Sequence, residues 1–284
     1  MNTPDLVYAL EKALASKGDD WGKLALHVTD LAVAIEGEDG KCKRQLWLRL
    51  NGAAEQPATL GKQLMFDHSH GIHERIVPML KEGLRGTGWV LEHVELSLKG
   101  LIPEGVDSGR VDTVLRGPNH EVIILDFKSV RGNAWQYLEQ PKPAHVLQVQ
   151  TYAEAYGADG AMILYIDREG QNGVKAFTVE RDDEKVFHAV QVAAAIKSDV
   201  IGPERCKPVV KIRTNKGPDA VYLESGWRCD YCEFRDVSCE GSLLPHLRDL
   251  GVVAKRAADG SLTSNGNSEA FGIVSVLLNP PEAV

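Results

Sequence analysis

The spacing of apolar residues along this chain changes period several times, and each change predicts an element. Leu6, Ala9, Leu10 and Leu14 fall at helical intervals and predict a helix over residues 3–17. Apolar residues recur through 22–36, and a second apolar patch, CKRQLWLRLNG, opens at Cys42 and closes on a turn-like Asn51-Gly52. A further helix is predicted over 60–83. The period then shortens to two. Residues 88–98 (GWVLEHVELSL) and 109–116 (GRVDTVLR) alternate as half-buried strands do. Gly117, Pro118 and Asn119 then turn the chain into EVIILDFKSV. The expectation is a β-meander followed by a helix over 145–156, a short buried strand at 161–167 and a helix over 184–201. From Ala257 onward Gly, Ser and Asn accumulate and predict a flexible tail, with FGIVSVLL at 271–278 as an apolar stretch able to dock.

Composition narrows the class without changing this picture. With 284 residues, 43% hydrophobic and 25% charged, the chain is long enough for one generous domain with appendages or for two small ones. No apolar run approaches the roughly 20 residues that span a bilayer. The N-terminal MNTPDLVYALEKALASKGDD has no apolar signal core, so a cytoplasmic protein is expected. A net charge of −8 argues against nucleic-acid binding by bulk electrostatics. It leaves room for carboxylates clustered round a metal, with basic residues confined to one groove. Between Glu204 and Lys216 lie Arg205, Lys207, Lys211 and Arg213, which read either as a solvated surface loop or as phosphate contacts.

The strand pair around 109–128 carries the clearest chemistry. Period two places Asp126 and Lys128 on one face with Val122 and Ile124, while Phe127 points away. A hairpin can bring Asp112 beside Asp126, giving a hard-oxygen site suited to Mg²⁺ or Mn²⁺. Phosphodiester cleavage needs an acidified water and neutralisation of an anionic transition state, and a divalent ion supplies both. A neighbouring lysine can polarise the water or stabilise charge on phosphorus. A surface salt bridge between Asp126 and Lys128 is the bland alternative.

Order along the chain adds weight. GIHERI (71–76), GRVDTV (109–114), LDFKSV (125–130) and QVQTY (148–152) follow one another in a pattern that resembles the PD-(D/E)XK nuclease superfamily, and more closely its RecB-like exonucleases. The resemblance implies that His73, Asp112 and Asp126 bind Mg²⁺ or Mn²⁺, with the backbone carbonyl of Phe127 as a further ligand. It implies that Lys128 assists the water, and that Gln148 and Tyr152 orient Lys128 or contact the DNA strand. Glu95 and His145 are weaker candidates, read as a solvent-facing strand glutamate and a helix-start histidine. The resemblance extends from about residue 25 to about 240.

Five cysteines, at 42, 206, 229, 232 and 239, are an odd count that argues against a disulfide framework. Cys229, Cys232 and Cys239 read C-D-Y-C-E-F-R-D-V-S-C, a spacing at which three soft ligands can meet one metal centre. Iron–sulfur members of the RecB-like family place one cysteine before the nuclease core and three after it, which implies a [4Fe–4S] cluster on Cys42, Cys229, Cys232 and Cys239. Zinc takes four cysteines as readily, and Cys206 is either a bystander or a substitute for Cys42.

The expected fold is α/β: a restriction-endonuclease-like core with a mixed central sheet flanked by helices. A helical N-terminal lobe (1–70) should precede the core (71–200), with a cysteine-rich lobe (201–245) and the tail (246–284) after it. The function implied is metal-dependent hydrolysis of DNA from ends, single-stranded or end-processed, in recombination, repair or CRISPR spacer acquisition. Partners implied are DNA, a second copy of the chain, or a recombination or CRISPR-type protein. A silent DNA-binding scaffold with the same fold, and a zinc-stabilised interaction protein, are the other readings.

Overall fold

The computed structural model describes residues 24–56, 59–170, 172–204, 209–214, 218–224, 227–230, 232–235, 237–239 and 252–278. The helix expected over 3–17 lies outside the described residues, as do Arg205, Cys206, Lys207 and Lys216. The chain divides into two compact units, one of residues 1–52 with 58–200 and one of 53–57 with 201–284.

The first unit is built on a five-stranded sheet in the order β1 (Val90–Ser97), β2 (Arg110–Arg116), β3 (Val122–Val130), β4 (Gly160–Asp167), β5 (Val174–Val179). Neighbours pair antiparallel except β3 and β4, which are parallel. That parallel step needs a crossover, and the short α3 (Gly132–Gln136) and α4 (Pro143–Tyr156) supply it. Pro143 suits the first turn of α4, where a missing N–H leaves no bond unmade. Gly157 closes that helix in the left-handed conformation at φ 73°.

Both faces of this sheet are covered, and the alternation of β2 and β3 assigns them. Leu115, Leu125 and Phe127 pack under α2 (Leu60–Gly83), against Ile76, Val77 and Leu80. Val114 and Ile124 point the other way, into a larger core with Leu147, Val149 and Tyr152 of α4 and Val186, Ala189 and Ala193 of α5 (Asp183–Ser198). The result is the mixed, helix-flanked sheet that the family resemblance implies. Ser69 of α2 and Ser129 of β3 approach to 3.2 Å, and Arg168 donates to Ser129, which ties the helix to β3.

The N-terminal segment is part of this core and not a separate lobe. A 3₁₀ segment, Val28–Ala34, buries Leu26, Val28, Leu31 and Val33 in the larger core. Asp30 anchors it, accepting from the His27 N–H and pairing with Lys41 and with Arg49 of α1 (Lys43–Leu50). Cys42 stands at the head of α1.

The second unit holds a four-stranded sheet, β6 (Val209–Arg213), β7 (Asp219–Glu224), β8 (Val252–Arg256) and β9 (Leu262–Ser264), antiparallel throughout. Helix α7 (Ser268–Leu278) covers one face, with Ala270 and Val274 against Val221, Val253 and Ala254. The described part of the basic segment is therefore a strand and not a surface loop. Residues 252–278, expected as a flexible tail, are two strands and a helix of this unit. Between the sheet strands lie α6 (Trp227–Asp230) and a run of tight turns curled on the buried Phe234, whose carbonyl accepts from the N–H groups of Val237, Ser238 and Cys239.

Candidate active site

The site stands on the face of β2 and β3 that looks toward α4. The β2–β3 register runs from Arg116↔Val122 to Thr113↔Leu125. One step further along it, Asp112 comes level with Asp126. The Phe127 N–H donates to Asp112 Oδ2 at 2.8 Å, which fixes that carboxylate across the strand pair. Lys128 Nζ lies 2.8 Å from Asp126 Oδ2, as expected for two residues on one strand face. Asp126 is 1% exposed, and its Oδ2 has this charge contact but accepts no hydrogen bond.

Helix α2 brings the imidazole. His73 Nδ1 is 3.8 Å from Asp112 Oδ2, and its ring meets Phe127 edge to face at 5.5 Å. Burial lowers the His73 pKa below its ordinary value, which keeps the ring neutral and free to act as a ligand. Asp112 is pushed up to about 8 by burial and then by the charge of Asp126. Two carboxylates this close and this dry repel until a cation is shared between them.

Glu95 joins them, although it is exposed on its strand as expected. It has φ 52°, in the left-handed region that non-glycine residues adopt at a penalty of about 1–3 kcal/mol. Arg110 Nε holds its Oε2 at 2.7 Å. In this pose single ligand atoms from His73, Glu95 and Asp112 all lie within 4.8 Å of one another. Sequence periodicity carries no sign of that positive φ.

Beneath the carboxylates sit Gln148 and Tyr152, one turn apart on α4, with Gln148 Nε2 donating to the Tyr152 hydroxyl at 3.0 Å. Tyr152 is 3% exposed. Burial and the charge of Asp126 hold its phenol protonated. Its ring is packed within the larger core, behind the surface that a DNA strand could touch. Gly109 makes this packing possible: a Cβ there would stand 2.8 Å from Val28 Cγ2 and 3.1 Å from Tyr152 Cε1. The glycine before Arg110-Val111-Asp112 is a packing requirement that only the folded chain reveals.

His145 lies on the same side. Tyr165, level with Lys128 across the parallel pair, accepts the Lys142 N–H at 2.9 Å, and its hydroxyl is 2.8 Å from His145 Nδ1. Burial, and then the charges of Lys128 and Lys142, lower the His145 pKa to about 3. A neutral imidazole beside Lys128 is thus part of the surroundings of the site.

The remaining candidates fall elsewhere. Lys211 and Arg213 lie on β6 of the second unit, and Lys207 is outside the described residues. Cys42 is half-buried in the first unit, while Cys229 is buried and Cys232 and Cys239 are half-buried in the second.

The donor set suits a divalent metal. His73, Glu95, Asp112 and Asp126 offer one imidazole nitrogen and carboxylate oxygens, the hard donors Mg²⁺ and Mn²⁺ prefer. The buried Asp126 Oδ2 without a hydrogen bond leaves a lone pair available for a cation.

The family model of the PD-(D/E)XK nuclease superfamily matches residues 28–239, and the chain belongs to that superfamily. Solved structures that the chain matches include SSO0001, at 17% identity and TM-score 0.45, covering 82% of this chain and 93% of that one. The alkaline exonuclease LHK-Exo from Laribacter hongkongensis is 16% identical with TM-score 0.40, covering 66% of this chain and 90% of that one. A phage-related exonuclease from Haemophilus somnus 129PT is 14% identical with TM-score 0.41, covering 62% and 95%. No curated protein matches the chain. Among the described residues, no helix is long and apolar enough to cross a membrane.

Proposed function

We propose that this protein is a Mg²⁺- or Mn²⁺-dependent DNA exonuclease. The observation that carries the reading is the convergence of His73, Glu95 and Asp112 within 4.8 Å, beside the buried Asp126–Lys128 pair. A divalent ion held by His73, Glu95, Asp112 and Asp126, with the Phe127 carbonyl as a further donor, supplies a water of lowered pKa and neutralises the phosphate. Lys128, anchored by Asp126, is the cation placed to orient the attacking water and to stabilise negative charge on phosphorus. Gln148 and the protonated Tyr152 fix the floor on which Asp112 and Asp126 stand. Arg110 pairs with Glu95 and holds its carboxylate beside Asp112 before any substrate arrives.

The finer readings rest on sequence. The spacing of Cys229, Cys232 and Cys239, with Cys42 ahead of the core, supports a [4Fe–4S] cluster, and zinc is the alternative ligand of the same thiolates. Action from DNA ends, on single strands or processed ends, and a place in recombination, repair or spacer acquisition come from the RecB-like resemblance. The test is incubation with end-labelled single- and double-stranded DNA in Mn²⁺, Mg²⁺ or EDTA. Cutting that needs metal and proceeds from ends supports the reading; a coloured, well-folded protein that cuts neither substrate points to the DNA-binding scaffold instead.

A further inference from the structure

The second unit carries a sheet face that the nuclease reading does not use. Register across its four strands separates two faces. Ile212, Val221 and Ala254 are cross-strand neighbours and belong to the core under α7. The alternate positions form the other face. Arg213, Ala220, Lys255 and Thr263 make one row across all four strands, and Lys211 beside Tyr222 begins the next. Glu224 closes β7 opposite Val209 at the far end.

On this face Lys211, Arg213, Lys255 and Thr263 are exposed and Tyr222 is half-buried. The Arg213 guanidinium lies over the Tyr222 ring, 4.7 Å from its centroid. Ala220 is buried between the long stems of its neighbours Arg213 and Lys255, as expected where cations extend their heads outward over apolar backbone. Two lysines, Lys211 and Lys255, therefore flank one stacked guanidinium–aromatic pair, in a chain whose net charge is −8. Alternation concentrates them: Lys211 and Arg213 of β6 alternate with Val210 and Ile212, which hold the strand to the core.

We propose that this open face binds single-stranded DNA, its phosphates to Lys211, Arg213 and Lys255 and a base against the Arg213–Tyr222 stack. The proposal rests on the reading of the protein as a DNA enzyme. A flat sheet offering an aromatic or guanidinium plane suits unpaired bases, whose π-faces are open, while the cations follow the backbone. A duplex presents its bases edge-on and gains nothing from the stack.

The test is fluorescence anisotropy of a labelled dT20 oligonucleotide with the full chain in EDTA, over a range of salt. The triple substitution Lys211→Glu, Arg213→Glu, Lys255→Glu is expected to weaken binding at least about tenfold. Three lost phosphate contacts should also flatten the slope of log K against log salt by about 2. Should that variant fail to fold, Lys211→Ala with Lys255→Ala tests the same face, with a slope change of about 1.4. Unchanged affinity and slope in a folded variant, equal or tighter binding of a duplex or of an RNA oligonucleotide, or no binding by the native chain would each overturn the assignment. The two readings separate. Metal-dependent cutting by a protein whose sheet variants bind normally removes this face and keeps the nuclease. Salt-sensitive binding by a protein that cuts nothing removes the nuclease and keeps the face.

Discussion

The five-stranded sheet is covered by helices on both sides and gathers carboxylates in its interior, whereas the four-stranded sheet is covered on one side and presents cations to solvent on the other. Burial decides what each set of charges can do. At Asp126 the surroundings are dry, so a second carboxylate at Asp112 keeps its proton until a cation arrives. At Lys211 and Lys255 water screens the charge, and its effect on a polyanion depends on salt. The role proposed for the first region is to hold an ion in fixed geometry. The other is suited to holding a long flexible ligand.

Breaking the buried set should have the largest effect. Asp112→Ala removes a metal ligand and the acceptor of the Phe127 N–H. Cleavage is expected to fall about 10³-fold, the upper end for losing one charge-stabilising group, with Mn²⁺ affinity falling in parallel by calorimetry. Near-normal cutting by that variant would mean the metal is held elsewhere. Cys232→Ala comes next, and acts on the second unit. It is expected to bleach an anaerobically purified brown protein, whose charge-transfer band lies at roughly 400 nm, and to lower its Tm. A fully coloured, equally stable variant would exclude the cluster.

Gly109→Ala sharpens the comparison from the packing side. A methyl group 2.8 Å from Val28 and 3.1 Å from Tyr152 should reduce stability by about 1–3 kcal/mol and move the floor of the site. Chemical denaturation measures it, and a variant as stable as the parent would show that the 3₁₀ segment yields freely. The smallest effect is a linkage. In the metal-free protein Asp112 keeps its proton up to about pH 8, while the unfolded chain releases it at about 4. Metal-free stability should therefore fall as pH rises through that window. A cation displaces the proton, so Mn²⁺ should raise the Tm more at about pH 8.5 than at about pH 6. An equal shift at both would mean that Asp112 is already ionised without metal.

The two regions also differ in how much of them sequence disclosed. In the first, long uninterrupted periods gave α2, β1 to β3, α4 and β4 nearly to the residue, and the order of His73, Asp112, Asp126-x-Lys128 and Gln148-x-x-x-Tyr152 gave the site. Glu95 stood only as a weaker candidate, because the positive φ and the Arg110 contact that set its pose leave no mark in periodicity. In the second, Val-Lys-Ile-Arg at 210–213 alternates as a strand should, but its basic content reads as a loop. The Gly and Ser residues that suggested a tail are largely the β8–β9 turn and the approach to α7. Short strands joined by polar turns have little local signal. Their partners lie far along the chain, and only the folded sheet shows which face is left open.

The central claim is that carboxylates hold the ion while Lys128 acts on the reacting phosphate. The most direct measurement compares the native chain with Lys128→Ala in two readouts: cutting of end-labelled DNA in Mn²⁺, and Mn²⁺ affinity by calorimetry. The account predicts that cutting is lost in the variant while Mn²⁺ still binds at His73, Glu95, Asp112 and Asp126. Cutting at the native rate without Lys128 would contradict it.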